Sequence, residues 1–471
     1  MDSSTLLPTS TTGTSALATG FSILQLMAGT GILGLPQATA MGGWASLGIM
    51  MVVALMANYT AKALIANLHS TPKLETHRKL ADLYGGRLPC YPSVGYAAFG
   101  EPGRFVVHVF HKATLFGVAT IFLILAGAFL VEGIGGGGEG FAGAAIAGDV
   151  KKWTQVWTAI AAGIALVPLV GLRTLREIAP LAALGLLASS LTVLIVVVES
   201  AILLPVTNAT QHEQGLPSSA PLVFNEHGDV AHAALRPGGF ASSFSVITLS
   251  FGGHAVLPSI EAQMATPAQF ARVANGAFAV LLALYLLTSA FGYGAFGAGV
   301  ASPVLCNLPR DVATPMGFAA TMTKLVIALH VITAVPMMLN PFAIELEHHL
   351  GLEGEARPAH VIGAPAEAKL YRAQAALGRA VVRTALLGAS LAVALTVPFF
   401  GDVMSFVGAA CLTMMVFVLP VALSWRLRAA EIGCLEGLWG LLIMATGVTA
   451  GAVGTYQAVV SIAQKLQHGE A

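Results

Sequence analysis

Two apolar stretches of the chain contain glycine, proline and polar side chains at matching places. The first, residues 29–36, reads GTGILGLP, and the second, residues 250–264, reads SFGGHAVLPSIEAQM. In each stretch a glycine, Gly31 or Gly253, stands five residues before a proline, and a leucine precedes that proline. An interior glycine costs a helix about 1 kcal/mol relative to alanine, and a proline costs about 3 kcal/mol. We therefore expect both stretches to interrupt helices.

An interrupted helix exposes peptide N–H and C=O groups, which cost several kcal/mol each when hydrocarbon leaves them unpaired. The N–H groups at the start of a half-helix suit a carboxylate, and freed carbonyl groups suit a cation or an ammonium group. A zwitterionic amino acid meets both needs. The candidate substrate-binding residues surround the two breaks: Gly29, Thr30, Gly31, Gly34, Phe251, Gly252, Gly253 and His254. The alternative interpretation is that glycine and proline only permit close packing or a kink, and that Phe251 is a core aromatic instead of a cover over the substrate.

A smaller set of residues is suited to coupling an ion or a proton to binding. His254 lies inside the second break, and imidazole changes its charge near physiological pH. Its alternative role is that of a neutral histidine bonded to a freed backbone group. His330 and Thr333, three residues apart on one helical face, and Gln25, four residues before Gly29, complete the set. For His330 we prefer a packing role.

Other ionisable side chains fall near the ends of apolar runs. We expect His108, His111 and Lys112 to form a solvated helix end, because a long lysine stem can reach water. Four glutamates are expected at the membrane interface: Glu132, Glu199, Glu261 and Glu345. Of these, Glu261 follows the second break closely enough to gate it. No metalloprotease, nucleophile-elbow or paired-carboxylate pattern is present, so we do not expect an enzyme.

Long apolar helices must position these residues, and the composition supports them. Of the 471 residues, 56% are hydrophobic and 10% are charged, whereas a soluble domain carries about 25% charged residues. Runs of about 20 apolar residues, long enough to cross a hydrocarbon core of roughly 30 Å, recur along the chain. We predict an all-α membrane protein with about eleven transmembrane helices, roughly at 22–42, 45–67, 105–132, 154–171, 178–204, 240–260, 273–297, 315–345, 381–399, 403–425 and 434–461.

The distribution of basic residues predicts the orientation of these helices. With a cytoplasmic N-terminus, 15 of the 23 Lys and Arg residues fall on the cytoplasmic side and five on the exoplasmic side, as the positive-inside rule requires. This orientation places the C-terminus on the exoplasmic side. Asn208, in the sequon Asn-Ala-Thr, then lies in an exoplasmic loop and is a candidate for glycosylation.

The two interrupted helices lie five spans apart, and an odd number of spans inverts the second copy of a repeat in the membrane. Paired Gly/Pro-interrupted segments in two halves indicate a secondary transporter with inverted repeats. The predicted organisation is a short cytoplasmic N-terminus (1–21), a first five-helix repeat (22–204), an exoplasmic loop (205–239), a second five-helix repeat (240–425), and an eleventh helix with the C-terminus (426–471).

Partners and cofactors follow from charge and cysteine content. The formal net charge is zero, which argues against nucleic acid and leaves a small amino acid and the lipid bilayer as partners. Four cysteines without a CxxC pair predict neither a zinc site nor an extracellular disulfide pair. We expect no cofactor and no metal, and a monomer as the transport unit.

Several segments, in order along nearly the whole chain, resemble one family. They are GTGILGLP with GGW at 42–44, YPSVGYAAFGEPGR at 91–104, SFGGHAVLPSIEAQM at 250–264, AVPMMLNPFAIELE at 334–347 and VPFFGDVMSFVGA at 397–409. The family is that of the amino acid/auxin permeases, which includes the vesicular GABA transporter and plant vacuolar amino-acid transporters. The resemblance implies a leucine-transporter-type fold with substrate between helices 1, 3, 6, 8 and 10. Gln25 and Ser93 depart from the asparagine and the acidic residue common in the family, which favours protons over sodium as the coupling ion.

The resulting expectation is a secondary active amino-acid transporter that works by alternating access and is coupled to protons, by symport or antiport. The resemblance favours a vacuolar or other acidic endomembrane, with the plasma membrane as an alternative. A second function remains open: an amino-acid sensor of the same fold with little net flux.

Overall fold

Helices form the regular structure throughout the part of the chain that the structure describes. The computed structural model describes residues 14–29, 31–70, 91–135, 149–171, 190–203, 230–308, 314–352 and 365–468. Their helices are α1 (Ala16–Met27), α2 (Gly31–Gly42), α3 (Ala45–Ser70), α4 (Tyr91–Gly133), α5 (Val150–Gly171), α6 (Ser190–Leu203), α7 (Phe240–Ser250), α8 (Leu257–Glu261), α9 (Phe270–Phe296), α10 (Pro315–His349), α11 (Pro365–Thr396), α12 (Phe400–Leu427) and α13 (Cys434–Gln467). Single 3₁₀ turns stand at Pro237–Gly239, Pro267–Gln269, Gly297–Gly299 and Val304–Asn307.

These helices confirm a multi-pass, all-helical membrane protein. Eight helices within the described residues are long and apolar enough to cross a bilayer, and the bent pair α1 and α2, whose axes differ by 54°, makes a ninth. The predicted fifth span, 178–204, is described over its second half as α6, and the predicted sixth span is divided into α7 and α8. Asn208 lies outside the described residues.

The third predicted span begins earlier than hydrophobicity indicated. We expected residues 105–132, whereas α4 begins at Tyr91 and changes direction at Gly100, where φ is 67° and ψ is −151°. This conformation is open to glycine and strained for other residues. Gly95 and Gly103 then face each other so closely that a Cβ on either would meet the backbone of the other. The first turns of α4 therefore fold back on the rest of the helix.

The helices pack in two groups. In the first, which we call the break group, α2 packs on α7 and α9, and α1 and α3 pack on α8 and α9. In the second, which we call the support group, α4 packs on α5 and α10, and α11 packs on all three. Helix α12 contacts α3 and α7 of the break group and α4 of the support group, and α13 packs on α7 and α12. The two interrupted segments thus lie side by side in one group.

Buried ion pairs join the helices of the support group. Lys324 on α10 is 1% exposed, and its Nζ lies 2.8 Å from Oε2 of Glu132 at the end of α4. At the other end of the same two helices, Lys112 on α4 pairs with Glu345 on α10. Arg383 on α11 donates to Glu347 Oε1 on α10 over 2.6 Å.

Several of the ionisable residues expected at helix ends are paired with one another. Glu345, which pairs with Lys112, also lies 2.8 Å from His108 Nδ1, and Glu261 Oε1 lies 2.7 Å from His69 Nε2 on α3. Glu199 on α6 is 4% exposed. Glu345 and Glu261 therefore pair with residues of neighbouring helices, although the Glu345 side chain is still 25% exposed.

Candidate substrate site at two helix breaks

The first break lies about two helical turns before Pro36. Helix α1 ends at Met27 and α2 begins at Gly31, so the interruption falls on residues 28–30, and Thr30 lies outside the described residues. Pro36 is inside α2 and does not end it. A Cβ on Gly292 of α9 would lie 2.8 Å from Pro36 Cγ, so the proline ring packs closely on that helix.

The second break spans residues 251–256, between α7 and α8. Tight turns replace the helical hydrogen bonds here: Gly253 N–H donates to Phe251 O over 3.0 Å, and Val256 N–H donates to Gly253 O over 3.0 Å. The interruption predicted for each segment is therefore present, and at the second it coincides with the glycines of the motif.

One tyrosine connects the two breaks. The Tyr285 hydroxyl on α9 lies 2.6 Å from the carbonyl oxygen of Met27, at the end of α1, and 2.8 Å from that of Ser250, at the end of α7. The side chain is fully buried. Sequence reasoning did not identify Tyr285, although a hydroxyl in the middle of the apolar run AVLLALYLLT was a usable signal.

The glycines of the motifs let the two broken segments touch. A Cβ on Gly31 would lie 2.8 Å from Ser250 Cα, and a Cβ on Gly253 would overlap the Met27 side chain. Gly34 and Gly252 similarly face the α12 residues Met404 and Leu412. Gly29 differs, because a Cβ there would meet no other heavy atom within 4 Å. The space beside the first break is therefore at Gly29.

Phe251 is placed as a core aromatic. It is fully buried, its ring stacks on Phe278 at a centroid distance of 6.0 Å, and it lies 4.9 Å from the ring of Tyr285. These contacts hold the tyrosine that bridges the breaks.

His254 is buried inside the second break and reaches the break group's α3. Its Nε2 lies 3.0 Å from Thr60 Oγ1, and its Nδ1 has no hydrogen-bond partner among the described residues. The next residue, Ala255, accepts a hydrogen bond through its carbonyl from His111 Nε2 on α4 at 3.2 Å.

Of the other candidates for ion coupling, Gln25 lies near the first break, whereas His330 and Thr333 lie away from both breaks. Gln25 is half-buried near the end of α1, with no side-chain hydrogen bond to any described residue. His330 and Thr333 lie on α10 in the support group, and the Thr333 hydroxyl donates to His330 O over 2.8 Å. His330 Nδ1 is buried without a partner among the described residues.

The outer ends of the broken segments are also paired with each other. Before α1, Thr14 N–H donates to Gln263 O, which follows α8, over 2.8 Å. After α2, Trp44 N–H donates to Ala233 O, which precedes α7, over 3.0 Å. The start of each segment thus meets the end of the other, so the two segments run antiparallel.

This geometry can bind opposite charges at one place. The first N–H groups of α2, which have no acceptor within their own helix, lie at the first break, and the C-termini of α1 and α7 present carbonyl groups that share Tyr285. Within the described residues no group of three or more His, Cys, Asp or Glu is placed to hold a metal ion. Backbone groups and one hydroxyl are therefore the main polar features of the site.

Comparison with known proteins shows similarity to amino acid transporters. A family model described as transmembrane amino acid transporter protein matches residues 12–460. The chain is 27% identical to amino acid transporter AVT1B of Arabidopsis thaliana over 444 residues, covering 94% of this chain and 70% of that protein. It is 28% identical to amino acid transporter AVT1J of Arabidopsis thaliana over 455 residues, covering 95% and 92%. These relatives are named as transporters and not as enzymes.

Proposed function

The chain belongs to the transmembrane amino acid transporter family, and on this basis we propose that it is a secondary active carrier of amino acids that works by alternating access. Substrate binds where α1 meets α2 and where α7 meets α8. The α-carboxylate is held by the N–H groups at the start of α2, near Gly31. The ammonium group is held by the carbonyl groups of Met27 and Ser250.

The convergence of both breaks on Tyr285 is the single observation that carries this proposal. One hydroxyl hydrogen is shared by two carbonyl oxygens, at 2.6 Å and 2.8 Å, so neither acceptor is fully satisfied by the protein. A buried carbonyl group that lacks part of its hydrogen bonding is costly unless a ligand donates the missing hydrogen bond. A substrate ammonium group supplies the missing donors.

The proposed architecture is a leucine-transporter-type fold of eleven helices with two inverted five-helix repeats, 22–204 and 240–425. Its support is the antiparallel pairing of the broken segments at both outer ends. Exchange between outward-open and inward-open states then requires the break group to move against the support group, whose helices are joined by buried ion pairs.

We further propose that protons drive the transport, with His254 as the coupling residue at the breaks. Its support is the burial of the imidazole inside the second break, in contact with Thr60. Gln25, His330 and Thr333 are secondary candidates. The proposed setting is a vacuolar or other acidic endomembrane, with the N-terminus in the cytoplasm and a monomer as the transport unit.

Uptake into proteoliposomes tests the proposal. The purified protein is reconstituted, a pH gradient is imposed, and each of the twenty radiolabelled amino acids is offered in turn. Accumulation that follows the gradient supports the proton-coupled carrier. Saturable binding without flux would favour the sensor, and accumulation that requires sodium instead of a pH gradient would contradict proton coupling.

A further inference from the structure

One buried carboxylate, on α6, is not used by the proposed substrate site. Glu199 on α6 is 4% exposed, and neither of its carboxylate oxygens has a hydrogen-bond partner among the described residues. The adjacent hydroxyl of Ser200 is also fully buried and without such a partner. An ionised carboxylate in this position is costly, since insertion of a charge into a bilayer costs about 2.5–3.5 kcal/mol.

The charged group that acts on Glu199 is Lys324. Its ammonium on α10 exerts an electrostatic effect on the Glu199 carboxyl group. Lys324 is itself paired with Glu132 of α4 at 2.8 Å, and its side chain is 1% exposed. Among the described residues, Lys324 is thus ion-paired with Glu132 of α4, whereas the Glu199 carboxyl group of α6 is influenced by the Lys324 charge without being ion-paired with it. We call these three residues the Lys324 cluster.

The charge of the Lys324 cluster depends on one proton. With both carboxyl groups ionised, the cluster carries a net charge of −1 in a buried environment. With one proton bound it is neutral, and the ion pair of Lys324 with Glu132 stays intact. A buried ion pair is tolerated only when its geometry and its remaining partners are satisfied, so the neutral form is the one that the buried setting favours.

We propose that Glu199 is the binding site for a transported proton, and that the Lys324 cluster holds this proton while substrate occupies the breaks. This inference rests on the proposed function, and it adds a second proton-binding residue, on α6, to His254 at the second break. Loss of the proton lets Glu199 compete with Glu132 for Lys324 and thereby weakens the link between α4 and α10. The protonation state of Glu199 is thus coupled to the packing of the helices against which the break group moves.

The location of the cluster indicates which side supplies the proton. Glu132 lies at the end of α4, and Lys324 lies nine residues into α10, about 14 Å along that helix. In the predicted orientation this is the exoplasmic half of the membrane. The proton therefore reaches Glu199 from the exoplasmic or lumenal side.

The variant Glu199→Gln tests proton binding separately from substrate binding. The variant keeps the size and neutral charge of the protonated side chain but cannot release a proton. We expect it to retain exchange of internal for external amino acid, measured by counterflow with the amino acid that the wild type takes up fastest. We expect it to lose accumulation driven by a pH gradient and to lose proton movement, reported by an internal pH-sensitive dye. The matched control is Glu431→Gln, because Glu431 is 60% exposed and pairs only with Arg428.

The outcomes distinguish this inference from the proposed function. Gradient-driven accumulation by Glu199→Gln at the wild-type level overturns the inference while leaving the carrier in place. Equal loss of counterflow and gradient-driven uptake, in a protein with unchanged melting temperature, also overturns it. If Glu199→Gln does not fold, Glu199→Asp is used, and an unchanged pH profile of uptake in that variant overturns the inference. Absence of gradient-driven uptake in the wild type refutes proton coupling itself.

Discussion

The Tyr285 hydroxyl lies 2.6 Å from the carbonyl oxygen of Met27, at the end of the first half-helix of the first interrupted segment. The same hydroxyl is 2.8 Å from Ser250 O, at the corresponding point of the second interrupted segment. One side chain on a neighbouring helix therefore joins two backbone interruptions that are more than 200 residues apart in the sequence. This contact makes a single polar site from two separate breaks.

Tyr285→Phe should weaken both substrate binding and folding. Removing the hydroxyl leaves two buried carbonyl groups without their donor, and an unsatisfied buried group costs about 1–3 kcal/mol. We expect a lower melting temperature and a raised KM for uptake. Tyr456→Phe is the control, because Tyr456 is 70% exposed on α13. Equal effects of the two substitutions would argue against the bridging role of Tyr285.

Gly31→Ala should impair transport through a steric effect on the backbone. The added Cβ would lie 2.8 Å from Ser250 Cα, and a backbone atom cannot move aside as a flexible side chain can. Overpacking of this kind costs about 1–3 kcal/mol and would separate the two broken segments. The measurements are initial uptake rate and melting temperature. Gly48→Ala serves as the control, since a Cβ at Gly48 meets no atom within 4 Å, and wild-type uptake by Gly31→Ala would contradict the close contact.

Cross-linking the outer ends of the broken segments should stop flux. Thr14 and Met264 are paired in an isolated parallel β-bridge, a spacing that suits a disulfide between Cys substitutions. In addition to the movement of the break group against the support group, we expect these two ends to separate from each other when the site opens on that side. We expect Thr14→Cys/Met264→Cys to be inactive after oxidation and active after reduction, with Thr14→Cys alone unaffected by oxidant. Full activity of the verified cross-linked protein would refute opening at this end.

Arg383→Met should destabilise the support group strongly. Arg383 is buried, donates to Glu347 Oε1 over 2.6 Å, and also donates to Leu169 O on α5 over 2.5 Å. Removing one partner of a buried ion pair costs about 3–5 kcal/mol, because the remaining charge is left uncompensated.

The matched control for this prediction is Arg428→Met. Arg428 also pairs with a glutamate, Glu431, but this partner is 60% exposed and lies only three residues away. Such exposed pairs contribute about 0–1 kcal/mol. A thermal shift assay in detergent should therefore show a large decrease in melting temperature for Arg383→Met and a small one for Arg428→Met. Similar decreases in melting temperature for the two variants would contradict the inference that the buried ion pair contributes more to stability than the exposed one.

Local hydrophobicity predicted most of the helices, because a span of about 20 apolar residues is a property of a continuous stretch. Predicted spans such as 45–67 and 434–461 correspond to Ala45–Ser70 and Cys434–Gln467. The start of α4 was missed, because residues 91–104 are less apolar and fold back at Gly100. The exact number of eleven spans and the inverted repeats remain predictions.

The spacing of glycine and proline predicted both interruptions, and the first lies at the beginning of the predicted stretch 29–36 instead of at its proline. Proline is tolerated inside α2 at Pro36, where its ring packs on Gly292, and the chain breaks earlier, at residues 28–30. The assignments of Gln25, His330 and Thr333 to coupling rested on position along a helix, which does not reveal the facing helix. Only the packing places His330 in the support group, away from the breaks.

The sequence by itself determined that this chain is a helical membrane protein with two interrupted segments, because hydrophobicity and Gly/Pro content act locally. Tertiary structure alone decided which groups meet: Tyr285 with Met27 and Ser250, and Lys324 with Glu132. Each of these partners is distant in the chain, and a buried polar group is satisfied by whichever helix packs beside it. The substrate site and the Lys324 cluster therefore follow from helix packing, which no local pattern of residues specifies.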